Sequence, residues 1–382
     1  MNILLNATTI RKGGAIKRVV AFVQEMIRNP GGHTWHVAAS DVVLNELREL
    51  CYDVESFEEF ATSPARDWRA RRRLRQLEEL LQPSCVFTFA GPSYVRFRAA
   101  HLVGCTDGWV THPTLQAYRS LAFPHEWLSA ALISRYKAHW FRIADAWVVQ
   151  TETARRGLCR RAGMPPARIA VIPNSCVVTF RQRRGEVSFP GQNAAVRILC
   201  IAAAYKHKRL TLVPEVAKQI ALRAPQLNVQ FVLTLPQNSD IFRKLRHLAR
   251  RLCIESSLIN AGPVSVAGAP ALYESCHICF QPTVLETFSA SYLEAMAFGL
   301  PIVTSDLSFA RDVCKDAALY FRANDAAAAA DCLIRLLQDP GIPSRLVAAG
   351  QTVLARLPTP AQQFTAYLAL LYGLRHASHA TP

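Results

Sequence analysis

The chain predicts two consecutive α/β domains with parallel sheets, on three observations. Its 382 residues exceed one ordinary core, and domains of about 150–200 residues are the natural division. Short apolar runs alternate with amphipathic helical stretches in both halves, the pattern of βαβ units. One segment rich in charges, Gly and Pro, VVTFRQRRGEVSFPGQNAA, breaks that rhythm between Val177 and Ala195. The predicted organisation is a first domain over 1–177, a linker over 178–195, a second domain over 196–350 and a closing helical segment over 351–382.

In the first domain the expected strands are NILLNA, HVAAS, CVFTFA, AHLVGC, AWVVQT and IAVIP. Stretches such as AIKRVVAFVQEMIR, apolar at helical spacing, separate several of them. The second domain restarts with RILCIAAAY, a helix near TLVPEVAKQIALR and the strand NVQFVLTL. A basic helix, FRKLRHLARRL, precedes the strands LINAG and HICFQP, a helix from about Ser289 and the strand IVTSD. The last segment, AQQFTAYLALLYGLRHA, follows the LPTP turn and has the apolar side needed to brace the first domain. Two such domains make a central cleft, and in parallel sheets ligands bind beyond the carboxyl ends of the strands.

Composition narrows the class. Hydrophobic residues make up 51% and charged residues 19%, a globular balance. The longest apolar run, around VRILCIAAAY, is well short of the roughly 18 residues of a membrane span. No basic leader precedes the first apolar run, so the N-terminus reads as a buried strand and the expected location is the cytoplasm. Eleven scattered cysteines point to reduced, packed thiols. Cys276 and Cys279 form a CxxC without a second pair, and core thiols are expected there rather than redox or metal ligands.

The formal charge of +16 attracts phosphate-bearing substrates, anionic membranes or nucleic acid. Its densest cluster, ARDWRARRRLRQLEELLQ over 65–82, suits a helix on an anionic lipid surface with Trp68 at the interface. A solvated helix face explains the same residues. Nucleic acid is not expected as a partner, because no aromatics are interleaved with the basic residues in a stacking pattern.

The stretch VLETFSASYLEAMAFGLP, 284–301, holds two glutamates eight positions apart. Glu286 falls on the loop leaving the strand HICFQP, and Glu294 about one and a half turns into the following helix. Between them, Phe288, Ser289 and Ala290 contribute the unpaired N–H groups of that helix's N-terminus. Those groups and the positive end of the macrodipole form an anion site suited to a diphosphate. Carboxylates accept from hydroxyls far better than they bind phosphate. Hydroxyl, phosphate, hydroxyl spells a nucleotide-sugar.

This segment resembles the E-x7-E motif of the retaining GT-B glycosyltransferases of the family four, or group 1, type. The resemblance continues through GLPIVTSDLSFARDVCKDAALYF and also takes in IAVIPNS, ADAWVVQTE and the glycine pair of TIRKGGAIKRV. It implies the GT-B fold, with two Rossmann-like domains facing a central cleft and a C-terminal helix crossing back to the first. It further implies a hexosyltransferase acting on a glycan or lipid-linked acceptor in bacterial surface polysaccharide or glycolipid biosynthesis.

The resemblance gives roles to individual residues. Glu294 takes the ribose hydroxyls, Glu286 the hydroxyls of the transferred sugar, and the backbone of Phe288, Ser289 and Ala290 the diphosphate. Lys208, in AAYKHKRL, looks like the lysine that neutralises the distal phosphate as it leaves, the charge stabilisation that often dominates catalysis; a solvated charge after a strand is the plainer alternative. Many members carry an arginine five positions earlier. Here that position is Ala203, and Lys206 is the candidate substitute. Gly13 and Gly14 would let backbone approach phosphate or acceptor, while Gly262 and Pro263 fall where the base pocket is lined. His112, in CTDGWVTHP, lies where a histidine often stands near the donor sugar, although a loop histidine with local bonds fits as well. Asp107 is a further sugar or acceptor contact, and Asn174 in IPNS a structural residue. No DxD and no His/Cys/Asp cluster has metal-ligand spacing, so neither metal nor cofactor is expected. The competing expectations are a nucleotide-sugar epimerase or phosphorylase of the same fold, and a binding or scaffold protein that has lost turnover.

Overall fold

The computed structural model describes residues 1–176, 189–190, 194–265 and 268–379. The expected linker over 178–195 lies for the most part outside them. The chain divides into two compact units, Met1–His112 with Leu128–Ser175 and Pro358–Pro382, and Pro113–Trp127 with Cys176–Leu357.

Among the described residues the first unit has a seven-stranded sheet. Its strands are β1 (Asn2–Ala7), β2 (Thr34–Ser40), β3 (Glu58–Phe60), β4 (Cys85–Thr88), β5 (Ala100–Gly104), β6 (Ala146–Val149) and β7 (Ile169–Val171). Their order is β3-β2-β1-β4-β5-β6-β7, all pairs parallel. Successive residues of β1 serve different cores: Ile3 and Leu5 join one apolar cluster, Leu4 another. That is why NILLNA is apolar without alternation. The helix Pro360–His379 buries Phe364, Tyr367 and Leu371 in the first of these clusters. Phe364 and Tyr367 lie with ring centroids 5.0 and 5.7 Å from Phe22, and Gln363 donates to the Pro173 carbonyl at 2.5 Å.

In the second unit the described strands are β8 (Val196–Cys200), β9 (Val229–Leu233), β10 (Leu258–Asn260), β11 (Ile278–Gln281), β12 (Ile302–Ser305) and β13 (Ala318–Phe321). They form a parallel sheet in the order β10-β9-β8-β11-β12-β13. Ile198 and Phe280 face one core, Leu199 and Cys279 the other. Cys276 and Cys279 are both buried, and burial pushes the Cys279 thiol up to about 12. A thiol so disfavoured as thiolate is packing, not chemistry.

Three features differ from the sequence pattern. The edge strands β3 and β13, of 3 and 4 residues, are not among the expected strands. The segment 351–382 is not one element. The helix Gly341–Arg356 belongs to the second unit and the helix Pro360–His379 to the first, because Pro358 and Pro360 lack the N–H that continuation needs. The segment 113–127, inside the expected first domain, groups with the second unit.

Glycine sets one close approach that positions loop residues of the first unit. The helix Glu152–Ala162 packs on the short helix Gly108–Thr111 through Gly157, where an added Cβ would fall 2.1 Å from the Thr111 carbonyl oxygen. Backbone cannot yield as a flexible side chain would. Gly157→Ala is expected to destabilise the protein by about 3 kcal/mol, at the upper end of overpacking costs, read as a shift of the urea midpoint at unchanged slope.

Candidate active site

Strand order reverses in the second sheet between β8 and β11. From β8 the connections run outward to β9 and β10, from β11 to β12 and β13. The loops leaving the carboxyl ends of two such strands diverge and open a crevice, the usual ligand position in α/β sheets. These two loops are tied to each other at their bases. The Val284 N–H donates to the His207 carbonyl at 2.8 Å, and the Thr283 hydroxyl to the same oxygen at 3.3 Å.

The tie brings Lys208 and Glu286 together. Lys208 closes a single 3₁₀ turn, Lys206–Lys208, and its N–H donates to the Tyr205 carbonyl at 3.0 Å. The next residue, Arg209, turns the chain at φ 53° and anchors its guanidinium on Asn324 at 2.6 Å. The Lys208 ammonium then donates to the Glu286 carboxylate, with side chains only 14% and 16% exposed. A cation and a carboxylate this far from water are strongly coupled. The contact holds both side chains in place.

Beyond Glu286 the loop turns into the helix Ala290–Ala297, one residue later than expected. Ser289 occupies the N-cap but makes no cap bond; its hydroxyl pairs instead with that of Ser291 at 2.8 Å. The cap side chain therefore leaves the first-turn amides to other acceptors, and the positive end of the helix stays available. Glu294 lies within this helix and is 9% exposed. The Tyr273 hydroxyl donates to its Oε2 at 2.7 Å. Gly299 closes the helix at φ 65° as a left-handed C-cap, which is the role of the glycine in AMAFGLP.

The remaining candidates have varied surroundings. Lys206 forms an ion pair with Glu126, so its ammonium already has an anion. Ala203 is exposed, and its carbonyl accepts from the Tyr205 N–H at 2.7 Å. Gly262 adopts φ 77° and an added Cβ there would meet open space, while its N–H donates to Asn260 at 3.4 Å; Pro263 follows it, exposed. In the first unit Gly13, at φ 76°, caps the helix Gly14–Arg28, and neither Gly13 nor Gly14 is crowded by any atom. Asp107 caps the helix Gly108–Thr111 by accepting from the Trp109 N–H at 3.0 Å, and holds the Lys137 ammonium at 2.6 Å. Such partners give it a structural occupation. His112 terminates that helix, its Nδ1 paired with the Thr111 hydroxyl at 2.7 Å. Asn174 is buried.

Tyr273 and Glu126 join the site only through the fold. Tyr273 stands 21 positions before Glu294 in a six-residue helix, and Glu126 is 80 positions from Lys206. Nothing local in either stretch marks it.

Residues 12–178 match the family model described as Glycosyltransferase Family 4, and residues 190–353 the model described as Glycosyl transferases group 1. Two glycosyltransferase models in succession thus cover most of the chain. The chain is a glycosyltransferase. This glycosyltransferase is 38% identical over 98 residues to phosphatidyl-myo-inositol mannosyltransferase of Mycobacterium leprae. That match spans 25% of the chain and 26%, about a quarter, of the relative. Solved structures resemble it along nearly the whole length. HepE of Anabaena, in complex with UDP and glucose, superposes with a TM-score of 0.72 at 13% identity, over 98% of this chain and 100% of that one. Sucrose-phosphate synthase of Thermosynechococcus elongatus gives 0.73 at 15%, over 99% and 100%. WaaG, a glycosyltransferase of lipopolysaccharide biosynthesis, gives 0.70 at 12%, over 97% and 99%. At these identities the likeness is one of fold, and the fold is GT-B, with two Rossmann-like units.

The burial of the Lys208–Glu286 pair is measurable by a double-mutant cycle with Lys208→Met and Glu286→Gln. A coupling energy above about 1 kcal/mol is expected from denaturation midpoints. The exposed pair Arg243–Asp240, at 67% and 76% exposure, is expected to give about 0.5 kcal/mol or less.

Proposed function

We propose that this glycosyltransferase transfers a hexose from a nucleotide-diphosphate sugar to a glycan or lipid-linked acceptor, with retention of anomeric configuration and without a metal ion. The observation that carries the reading is the buried Lys208–Glu286 pair at the strand-order reversal, one loop away from the uncapped N-terminus of the helix Ala290–Ala297. A cation and a helix N-terminus together supply the positive potential that a departing diphosphate requires.

In this reading the diphosphate lies on the backbone N–H groups of Phe288, Ser289 and Ala290, and Lys208 turns from Glu286 to the distal phosphate. Glu286 accepts from hydroxyls of the transferred sugar, and Glu294 from those of the ribose. Gly262 and Pro263 line the base, with Lys206 released from Glu126 as a second phosphate contact. Gly13 and Gly14 are assigned to phosphate or acceptor, and His112 to the donor sugar. The bond from the anomeric carbon to the phosphate oxygen breaks, the acceptor oxygen bonds to the same face, and the leaving phosphate takes the acceptor's proton.

Bacterial surface polysaccharide or glycolipid synthesis is the process proposed, at the cytoplasmic face of a membrane. No helix among the described residues is long and apolar enough to cross a membrane, so the membrane reading rests on the surface. On the helix Trp68–Leu81, Trp68 is 65% exposed beside the exposed Arg69, Arg72 and Arg75. Arg71 of that helix donates to the Tyr136 hydroxyl at 3.2 Å, on the helix His125–Phe141, which leaves Leu128, Leu132 and Ile133 more than half exposed. Apolar residues rimmed by arginines suit an anionic bilayer.

Two measurements test the reading. A thermal-shift panel of UDP, GDP and ADP is expected to raise the melting temperature with one of them, equivalent to about 2.7 kcal/mol at a hundredfold excess over Kd; no shift with any nucleotide sinks the proposal. With the matching nucleotide-sugar, an acceptor gains the mass of one sugar, and Glu286→Gln or Lys208→Ala lowers turnover about a hundredfold or more. Interconversion of the free donor would instead mark an epimerase, and binding without turnover a scaffold. Sedimentation with vesicles containing phosphatidylglycerol, but not with phosphatidylcholine alone, is the expected membrane result; Leu132→Glu should abolish it.

A further inference from the structure

Tyr273 is buried completely, in a short helix outside the two loops that carry the candidate catalytic residues. Its ring stacks on Phe298, with centroids 5.3 Å apart and planes 10° from parallel. Its hydroxyl has one proton to give, and gives it to Glu294 Oε2 at 2.7 Å. Burial, together with the neighbouring Glu294 carboxylate, drives the phenol well above its ordinary pKa, so it stays a neutral donor at any physiological pH.

A carboxylate that is nine-tenths buried needs donors, or it loses more solvation than it regains. A carboxylate offers about four acceptor positions. A donor locked by ring stacking takes one of them and fixes the plane of the group, so that the remaining positions point in fixed directions. A fixed plane distinguishes a vicinal diol from a lone hydroxyl. Sites built around a hydrogen bond reject analogues that lack the hydroxyl, because a buried polar atom is left unpaired. A carboxylate free to rotate loses that discrimination.

We infer that Tyr273 is a positioning residue that holds Glu294 to select ribonucleotide over 2′-deoxyribonucleotide donors. The inference rests on the proposed role of Glu294 at the ribose. Tyr273 touches no reacting atom; it acts through the orientation of Glu294. The neighbouring residues Cys276 and Cys279 are buried thiols with no comparable donor strength.

The test compares Kd for UDP with dUDP, GDP with dGDP and ADP with dADP, by calorimetry on the full chain, for wild type and Tyr273→Phe. The phenyl ring preserves the stack on Phe298, and melting temperature without nucleotide verifies the fold. Wild type is expected to favour the ribo form of its preferred nucleotide by about tenfold or more. In Tyr273→Phe that ratio should fall to about a third of the wild-type value or less, mostly through weaker binding of the ribo form. If both forms weaken in proportion, the tyrosine is merely structural and the assignment is overturned, while the donor-site reading stands. If wild type binds none of the six nucleotides, the donor-site reading falls and takes this assignment with it.

Discussion

Everything in the candidate site depends on one constraint, the reversal of strand order between β8 and β11. There two carboxyl-end loops leave adjacent strands in diverging directions, and there Lys208 and Glu286, 78 positions apart, meet with most of their surface dry. The Lys208–Glu286 pair is the chemical expression of that geometry. Bonds from Val284 and Thr283 to the His207 carbonyl fix how closely the loops approach, and the left-handed Arg209 redirects the chain straight after the lysine. The pair is thus held by backbone on both sides. Side-chain attraction alone would have to overcome the desolvation of two charges.

The same topology lines helix N-termini along one edge of the second sheet. Parallel strands feed helices whose N-termini return to the carboxyl edge, so each βα loop ends at a positive dipole. At the helix Ala290–Ala297 the cap hydroxyl is turned to Ser291, which leaves that end of the helix open to an anion. Glu294 balances this with negative charge inside the helix, and a buried tyrosine restrains it. The formal charge of +16 is therefore not one uniform property. Part of it lies on the exposed helix Trp68–Leu81, whereas pairs such as Lys137–Asp107 and Lys206–Glu126 contribute nothing to the excess.

Legibility in the sequence followed the range of the interactions. The buried strands were readable because strands covered on both faces carry unbroken apolar runs, such as residues 3–5 of β1 and 198–200 of β8. The loop-to-helix transition at Ser289 was readable within one residue, since strand, polar loop and small-residue helix follow one another within a short stretch. Strand β3, Glu58–Phe60, has two glutamates among its three residues and no apolar run to mark it. Asp107, a loop carboxylate beyond a strand, has partners that could not be read from its neighbours in the sequence. In the fold it caps a helix and binds Lys137, two demands that no local pattern displays.

By itself the sequence determined two α/β units, the apolar strands that build them, and the spacing that sets Glu286 on a loop and Glu294 inside a helix. Those are consequences of local periodicity and chain connectivity, which any sufficiently long stretch records. Tertiary structure alone decided that Lys208 binds Glu286, that Glu126 claims Lys206 and that Tyr273 holds Glu294. Each of these partners is separated from the other by 21 to 80 positions. Their meeting is set by strand order and loop closure, and neither leaves a mark on the residues nearby.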